Sequence, residues 1–184
     1  MHLHHRLAAA TLVVLASLLA GCRGDAPTPT PAPEFGTPSA VEPGRPGPRT
    51  TGVPPGTELT PSGSLRITED GAVVEGLDID GCVVVAADDV TIRASRIRCT
   101  DTPDNRAVVR DGDHSGLLIE DVEIDGGGTT DIGVDVSRVV LRRLDIHHVN
   151  DGVRMGSDIV LEDSWIHDLS RIDDLHPDAV QGIS

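Results

Sequence analysis

The hydrophobic positions of this chain recur in a fixed frame. Five segments align without gaps: VEGLDID from Val74, IRASRIR from Ile92, IEDVEID from Ile119, LRRLDIH from Leu141 and LEDSWIH from Leu161. Each begins with a branched aliphatic and carries isoleucine at its sixth place: Ile79, Ile97, Ile124, Ile146 and Ile166. Leu77, Ser95, Val122, Leu144 and Ser164 share the fourth. Two inward stretches with a turn between them suit short strands better than a helix. A second strand recurs as CVVV (Cys82 to Val85), AVVR (Ala107 to Arg110), GVDV (Gly133 to Val136), GVRM (Gly152 to Met155) and AVQG (Ala179 to Gly182). Turns such as DGGGTTD absorb the differences in repeat length, and SLRIT supplies a strand before the first repeat.

The position after each anchor tests the alignment. It holds Glu75, Arg93, Glu120, Arg142 and Glu162, alternating in sign at every step. Stacked on parallel strands about 4.8 Å apart, these residues form a ladder of opposite charges, which a wrong register would not produce. The pattern therefore predicts an all-β fold, a right-handed parallel β-helix of about five coils, with the hand set by the crossover rule. Cys82 and Cys99 fall near one corner of neighbouring coils. Outside the cytoplasm that pair makes a plausible disulfide, the alternative being two small buried thiols.

The ends of the chain read differently. Leu7 to Ala20 is an apolar run too short and wrongly flanked to span a membrane. It ends in LAGC, which resembles the lipobox of bacterial lipoproteins, implying a signal peptide over residues 1–21 and lipidation of Cys22. Residues 22–55 hold ten of the thirteen prolines and almost nothing apolar. Such a stretch reads as a disordered, extended linker, and the β-helix domain is expected over 56–184. Ser184 comes one strand into a sixth face, with no cap after it. Because a terminal coil needs one, the domain reads as incomplete at its C-terminus and as the N-terminal part of something longer.

Composition narrows the partners. Formal net charge is −15, every basic residue is arginine, and residues 56–184 hold eleven Arg against twenty-seven Asp and Glu. Nucleic acid and bare anionic membrane are poor partners for such a surface. An acidic glycan needs an intervening cation such as Ca2+.

The stretch from TTGVPPGTELTPSGSLRIT through VVEGLDIDGCVVVAADDVTIRASRIRC, together with the closing HPDAVQ, resembles a family of secreted bacterial right-handed parallel β-helix proteins of the pectin-lyase-like superfamily. The resemblance implies a lipid-anchored protein outside the cytoplasm that binds or processes polysaccharide at the cell surface or cell wall. If it is an enzyme, it is a polysaccharide lyase acting on uronate polymers or a glycoside hydrolase. The alternatives are a non-catalytic structural or adhesive cell-wall protein, or an inactive fragment of such an enzyme.

Polar residues thicken toward the C-terminus, where the superfamily binds oligosaccharide on an outer face. Aligning NDGVRMG with PDAVQGI stacks Asp151 under Asp178 and Arg154 under Gln181. Asp151, Arg154, His176 and Asp178 are the candidate catalytic residues: stacked carboxylates for acid/base work, a histidine titrating near neutrality, and an arginine for a uronate carboxylate. Asp151 and Asp178 also offer hard oxygen ligands for Ca2+. His147, His167, Trp165 and Gln181 are the candidate substrate contacts. Each has a plainer role open to it: His147 and His167 as stacked surface residues, Asp151 in an Asn-Asp-Gly turn, Arg154 paired with Asp135, and Trp165 covered by a loop or a further coil.

Overall fold

A computed structural model of the protein describes residues 44–100 and 106–182. The signal peptide expected over 1–21, Cys22 and the expected linker as far as residue 43 lie outside the described residues, as do 183 and 184. In chain order the strands are β1 (Thr60–Ile67), β2 (Val73–Glu75), β3 (Leu77–Val85), β4 (Thr91–Arg93), β5 (Arg96–Arg98) and β6 (Arg106–Arg110). They continue as β7 (Leu117–Glu120), β8 (Glu123–Val136), β9 (Val139–Arg142), β10 (Asp145–Met155), β11 (Ile159–Glu162), β12 (Trp165–His167) and β13 (Val180–Gly182). Among the described residues there is no helix.

All the pairings are parallel, and the chain alternates between two sheets. One is ordered β11-β9-β7-β4-β2, the other β1-β3-β5-β8-β10-β12, with β6 against β3 and β8 and β13 against β10. The register follows the sequence repeat residue for residue. Val74 pairs with Ile92, Ile92 with Ile119, Ile119 with Leu141 and Leu141 with Leu161. The isoleucine column pairs in the same way, from Ile79 through Ile97, Ile124 and Ile146 to Ile166. The second strands align Val83, Val108, Val134, Val153 and Val180.

These columns are the core. Ile79, Ile97, Ile124 and Ile146 are fully buried, as are Ile92, Ile119 and Leu141. Serines in the inward column keep their hydroxyls satisfied: Ser95 Oγ accepts from Leu77 N–H and donates to Arg93 O, and Ser164 does the same between Leu144 and Glu162. A hydroxyl left unpaired there would cost about 1–3 kcal/mol. Cys82 and Cys99 are disulfide-bonded, their Cα atoms 4.8 Å apart.

The corner between the two sheets repeats as a left-handed residue. Gly76, Ala94, Asp121, Arg143 and Asp163 all have φ between 45° and 68°. Four of the five are not glycine, so most copies accept a backbone strain of roughly 1–2 kcal/mol. Arg143 sets ion pairs against that cost, with its side chain only 3% exposed. Its Nε and Nη2 donate to both oxygens of Asp121 at 2.7 and 2.6 Å, and Nη2 reaches Glu120 at 3.2 Å. The sign-alternating column forms ion pairs as well, Arg93 with Glu75 at 2.8 Å and Arg142 with Glu162 at 2.6 Å. The first of these is half-exposed and worth little.

The folded body starts earlier than residue 56. Thr51 is buried, its hydroxyl donates to Gly47 O at 2.8 Å, and Gly52 N–H donates to Arg143 O at 2.8 Å. The end of the proline-rich segment is thus held against the fourth repeat, because a corner carbonyl there accepts its backbone donor.

Replacing Arg143 with asparagine, which tolerates the left-handed backbone, strands Asp121 without its partner and leaves Glu120 with Arg142 alone. Urea unfolding should then show a loss of about 3 kcal/mol or more, whereas Arg93→Ala should stay within about 0.5 kcal/mol of the parent.

Candidate functional site

Period-two alternation sends every second residue of β8, β10 and β12 outward, and the register stacks those residues in columns. Glu123, Asp145 and Trp165 form one column; Asp125, His147 and His167 form the next. His167 Nε2 lies 2.8 Å from Asp145 Oδ1, and its Nδ1 lies 2.9 Å from Asp168 Oδ2. Trp165 stacks face to face on His167, ring centroids 3.6 Å apart and planes 15° apart. His147 lies beside His167, with centroids 5.3 Å apart and planes tilted by 32°. The sequence reading brings His147, His167 and Trp165 to one face, and the structure places them there as neighbours.

Three residues outside that set of candidates complete the face. His148 follows His147 at a left-handed position, φ 53°, which turns its ring back over Asp125. Its Nδ1 lies 3.0 Å from Asp125 Oδ1 and 2.9 Å from His147 Nδ1. Glu123 Oε1 stands 3.5 Å from His147 Nε2. Gly126 makes this close approach feasible, since a Cβ there would sit 2.5 Å from His148 O.

The charges act on one another. Hydrogen bonding to Glu123 raises His147 above its ordinary value against the pull of burial, and the charges of Asp125 and Asp145 add to it. The same contact holds Glu123 below the usual carboxylate range. Burial works to raise Asp125, yet the Gly127 N–H and the two imidazoles keep it low. Among the described residues, Asp125, His147 and His148 are the group whose ligand atoms converge, all lying within 4.8 Å of one another.

The other candidates lie on the second half of β10 and beyond. The outer-face position expected for Asp151 is corrected here, because the residue is buried at 1% exposure. Its Oδ1 accepts from the Asp178 N–H at 3.1 Å and from Asn150 Nδ2 at 3.0 Å. Asn150 in turn accepts from Ile172 N–H and donates to His176 O. The pair therefore pins the loop before β13, which is why a carboxylate is drawn inside. Burial raises the Asp151 carboxyl; the Asp178 N–H opposes this, and the charges of Asp131 and Asp178 reinforce it. No third carboxylate or imidazole among the described residues converges on Asp151 and Asp178.

Arg154 pairs with Gln181 at 2.9 Å and with Asp135 at 3.4 Å, so all three polar side chains of that column are engaged within the sheet. His176 is exposed and its Nδ1 lies 3.6 Å from Asp178 Oδ1. No family model, curated protein or solved structure matches the chain, so function rests on the chemistry of these two groups.

Asp151→Asn keeps an oxygen for the Asp178 N–H and removes the buried charge. With the folded-state value of Asp151 raised above 3.8, the folded state holds its proton longer, so this group's contribution to stability falls as pH rises through that window. The asparagine variant should lose that slope in urea titrations run across the acid range and be at least as stable as the parent near neutrality. Asp151→Ala, by contrast, should cost about 1–3 kcal/mol by stranding the amide.

Proposed function

We propose that this chain is a right-handed parallel β-helix of the pectin-lyase-like kind, lipid-anchored through Cys22 outside the cytoplasm, that binds polysaccharide on the outer face of β8, β10 and β12. The observation that carries this reading is the stacked Trp165–His167 pair flanked by Asp145, His147 and Glu123. The half-buried Trp165 ring, stacked on His167 and set beside hydrogen-bonding carboxylates and imidazoles, offers an apolar edge and face for a pyranose and polar partners for its hydroxyls. In-register stacking spreads that chemistry along a line, which suits an extended polymer better than a compact ligand.

Binding is favoured over processing because Asp151 and Arg154 already serve the fold. The acidic surface favours a neutral glycan, or an acidic one bridged by a cation. A second reading, processing of the glycan as a lyase or glycoside hydrolase, is favoured by the exposed His176 beside Asp178.

The two are separated by affinity electrophoresis in neutral and uronate polysaccharide gels, combined with an ultraviolet assay for unsaturated uronate and a reducing-end assay for hydrolysis. Trp165→Ala should weaken retention about tenfold, or about 1.4 kcal/mol, while His176→Ala leaves it unchanged. Retention that ignores Trp165 removes the binding face. Product formation that disappears with His176→Ala or Asp178→Ala establishes the enzymatic reading.

A further inference from the structure

The convergence of two imidazoles on one carboxylate has a consequence independent of any glycan. We propose that Asp125, His147 and His148 form a binding site for a divalent first-row transition-metal ion such as Zn2+, Co2+ or Ni2+.

The three ligand atoms form a triangle with edges of 2.9 Å (His147 Nδ1 to His148 Nδ1), 3.0 Å (His148 Nδ1 to Asp125 Oδ1) and 3.6 Å (His147 Nδ1 to Asp125 Oδ1). Bonds of about 2.0–2.2 Å from one such ion put adjacent ligand atoms roughly 3.0–3.4 Å apart, depending on whether the geometry is octahedral or tetrahedral. The triangle therefore has the dimensions of one face of a coordination shell. Protons serve it poorly. Two ring nitrogens 2.9 Å apart can share only one hydrogen. A hydrogen on His148 Nδ1 cannot point at both His147 and Asp125, and with none present lone pairs face lone pairs. A single cation at the centre satisfies all three.

The surroundings fit the same role. Glu123 faces His147 Nε2 and favours a proton there, which leaves Nδ1 with its lone pair toward the triangle. Gly127 N–H donates to Asp125 Oδ1 at 2.9 Å and fixes the carboxylate. Asp125 and His147 are paired residues on adjacent strands and His148 follows in β10 at a register shift, so all three ligands sit on the sheet itself. The His148 side chain is 49% exposed, leaving the remaining coordination positions open to water or an exogenous ligand. Two imidazoles with one carboxylate select zinc-like ions over Ca2+ and Mg2+, which take oxygen ligands.

The test uses the full-length chain, stripped with a chelator and titrated calorimetrically with Zn2+, Ca2+ or Mg2+ alone. The N-terminal histidines His2, His4 and His5 are replaced by alanine so that they cannot supply the signal. In that background the site should bind one Zn2+ per chain, and Ca2+ and Mg2+ at least about 100-fold more weakly. Asp125→Asn retains an acceptor for Gly127 N–H, and His148→Asn tolerates the left-handed backbone. Each should weaken Zn2+ binding at least about 100-fold, whereas His176→Ala should not. Absence of Zn2+ binding, binding that survives both ligand substitutions, or equal affinity for Ca2+ overturns the proposal. Should either variant misfold, the visible spectrum of the parent loaded with Co2+ decides. Bands distinct from the aquo ion, displaced by one equivalent of Zn2+, support the site, and an aquo-ion spectrum rejects it.

Discussion

Everything in this molecule depends on strands pairing in parallel without losing register. The isoleucine column from Ile79 to Ile166 sets that register, because slipping a strand by one residue would move its isoleucine from the core to solvent and send an aspartate, arginine or histidine inward. With aliphatics stacked on aliphatics, little else is free to vary. Length differences between repeats are pushed into turns, and every outward residue is placed above the equivalent residue of its neighbour.

That constraint turns composition into chemistry. Outward columns bring like positions within contact distance, so a column must alternate in charge, accept neutral side chains, or place a histidine against a carboxylate. The Glu75–Arg93 and Arg142–Glu162 pairs are the first solution. The Asp125, His147 and His167 column is the third, and it arises where the strongly acidic sequence supplies imidazoles in place of arginines. Polar character is thus concentrated on one face by geometry, without any single loop having to shape a pocket.

Columns were legible in the sequence because a two-residue alternation and a constant offset survive in single-letter code. Corners were not. Ala94 and Arg143 adopt left-handed backbones that their residue types do not announce, and only Gly76, Asp121 and Asp163 at the equivalent corners hint at them. The same blindness hid the contact of His148 with Asp125, which its ring reaches because its backbone reverses. Asp151 misled in the opposite sense: an Asn-Asp-Gly turn signal and a stacked aspartate suggested exposure. The deciding fact was that the Asp178 amide needed an acceptor, and that need becomes visible only in three dimensions.

The contact between Gly52 and Arg143 bears on how the chain folds. Stacked repeats invite growth from one end, each new layer templated by the last, and synthesis from the N-terminus would seem to favour that order. Here the segment made before the first strand finds its carbonyl partner only in the fourth repeat. It must wait undocked while the intervening layers assemble, and its arrival then ties the earliest part of the chain to one of the latest. Closure of this long-range contact makes the outer layers cooperative with the inner ones, which a purely nearest-neighbour array would not achieve.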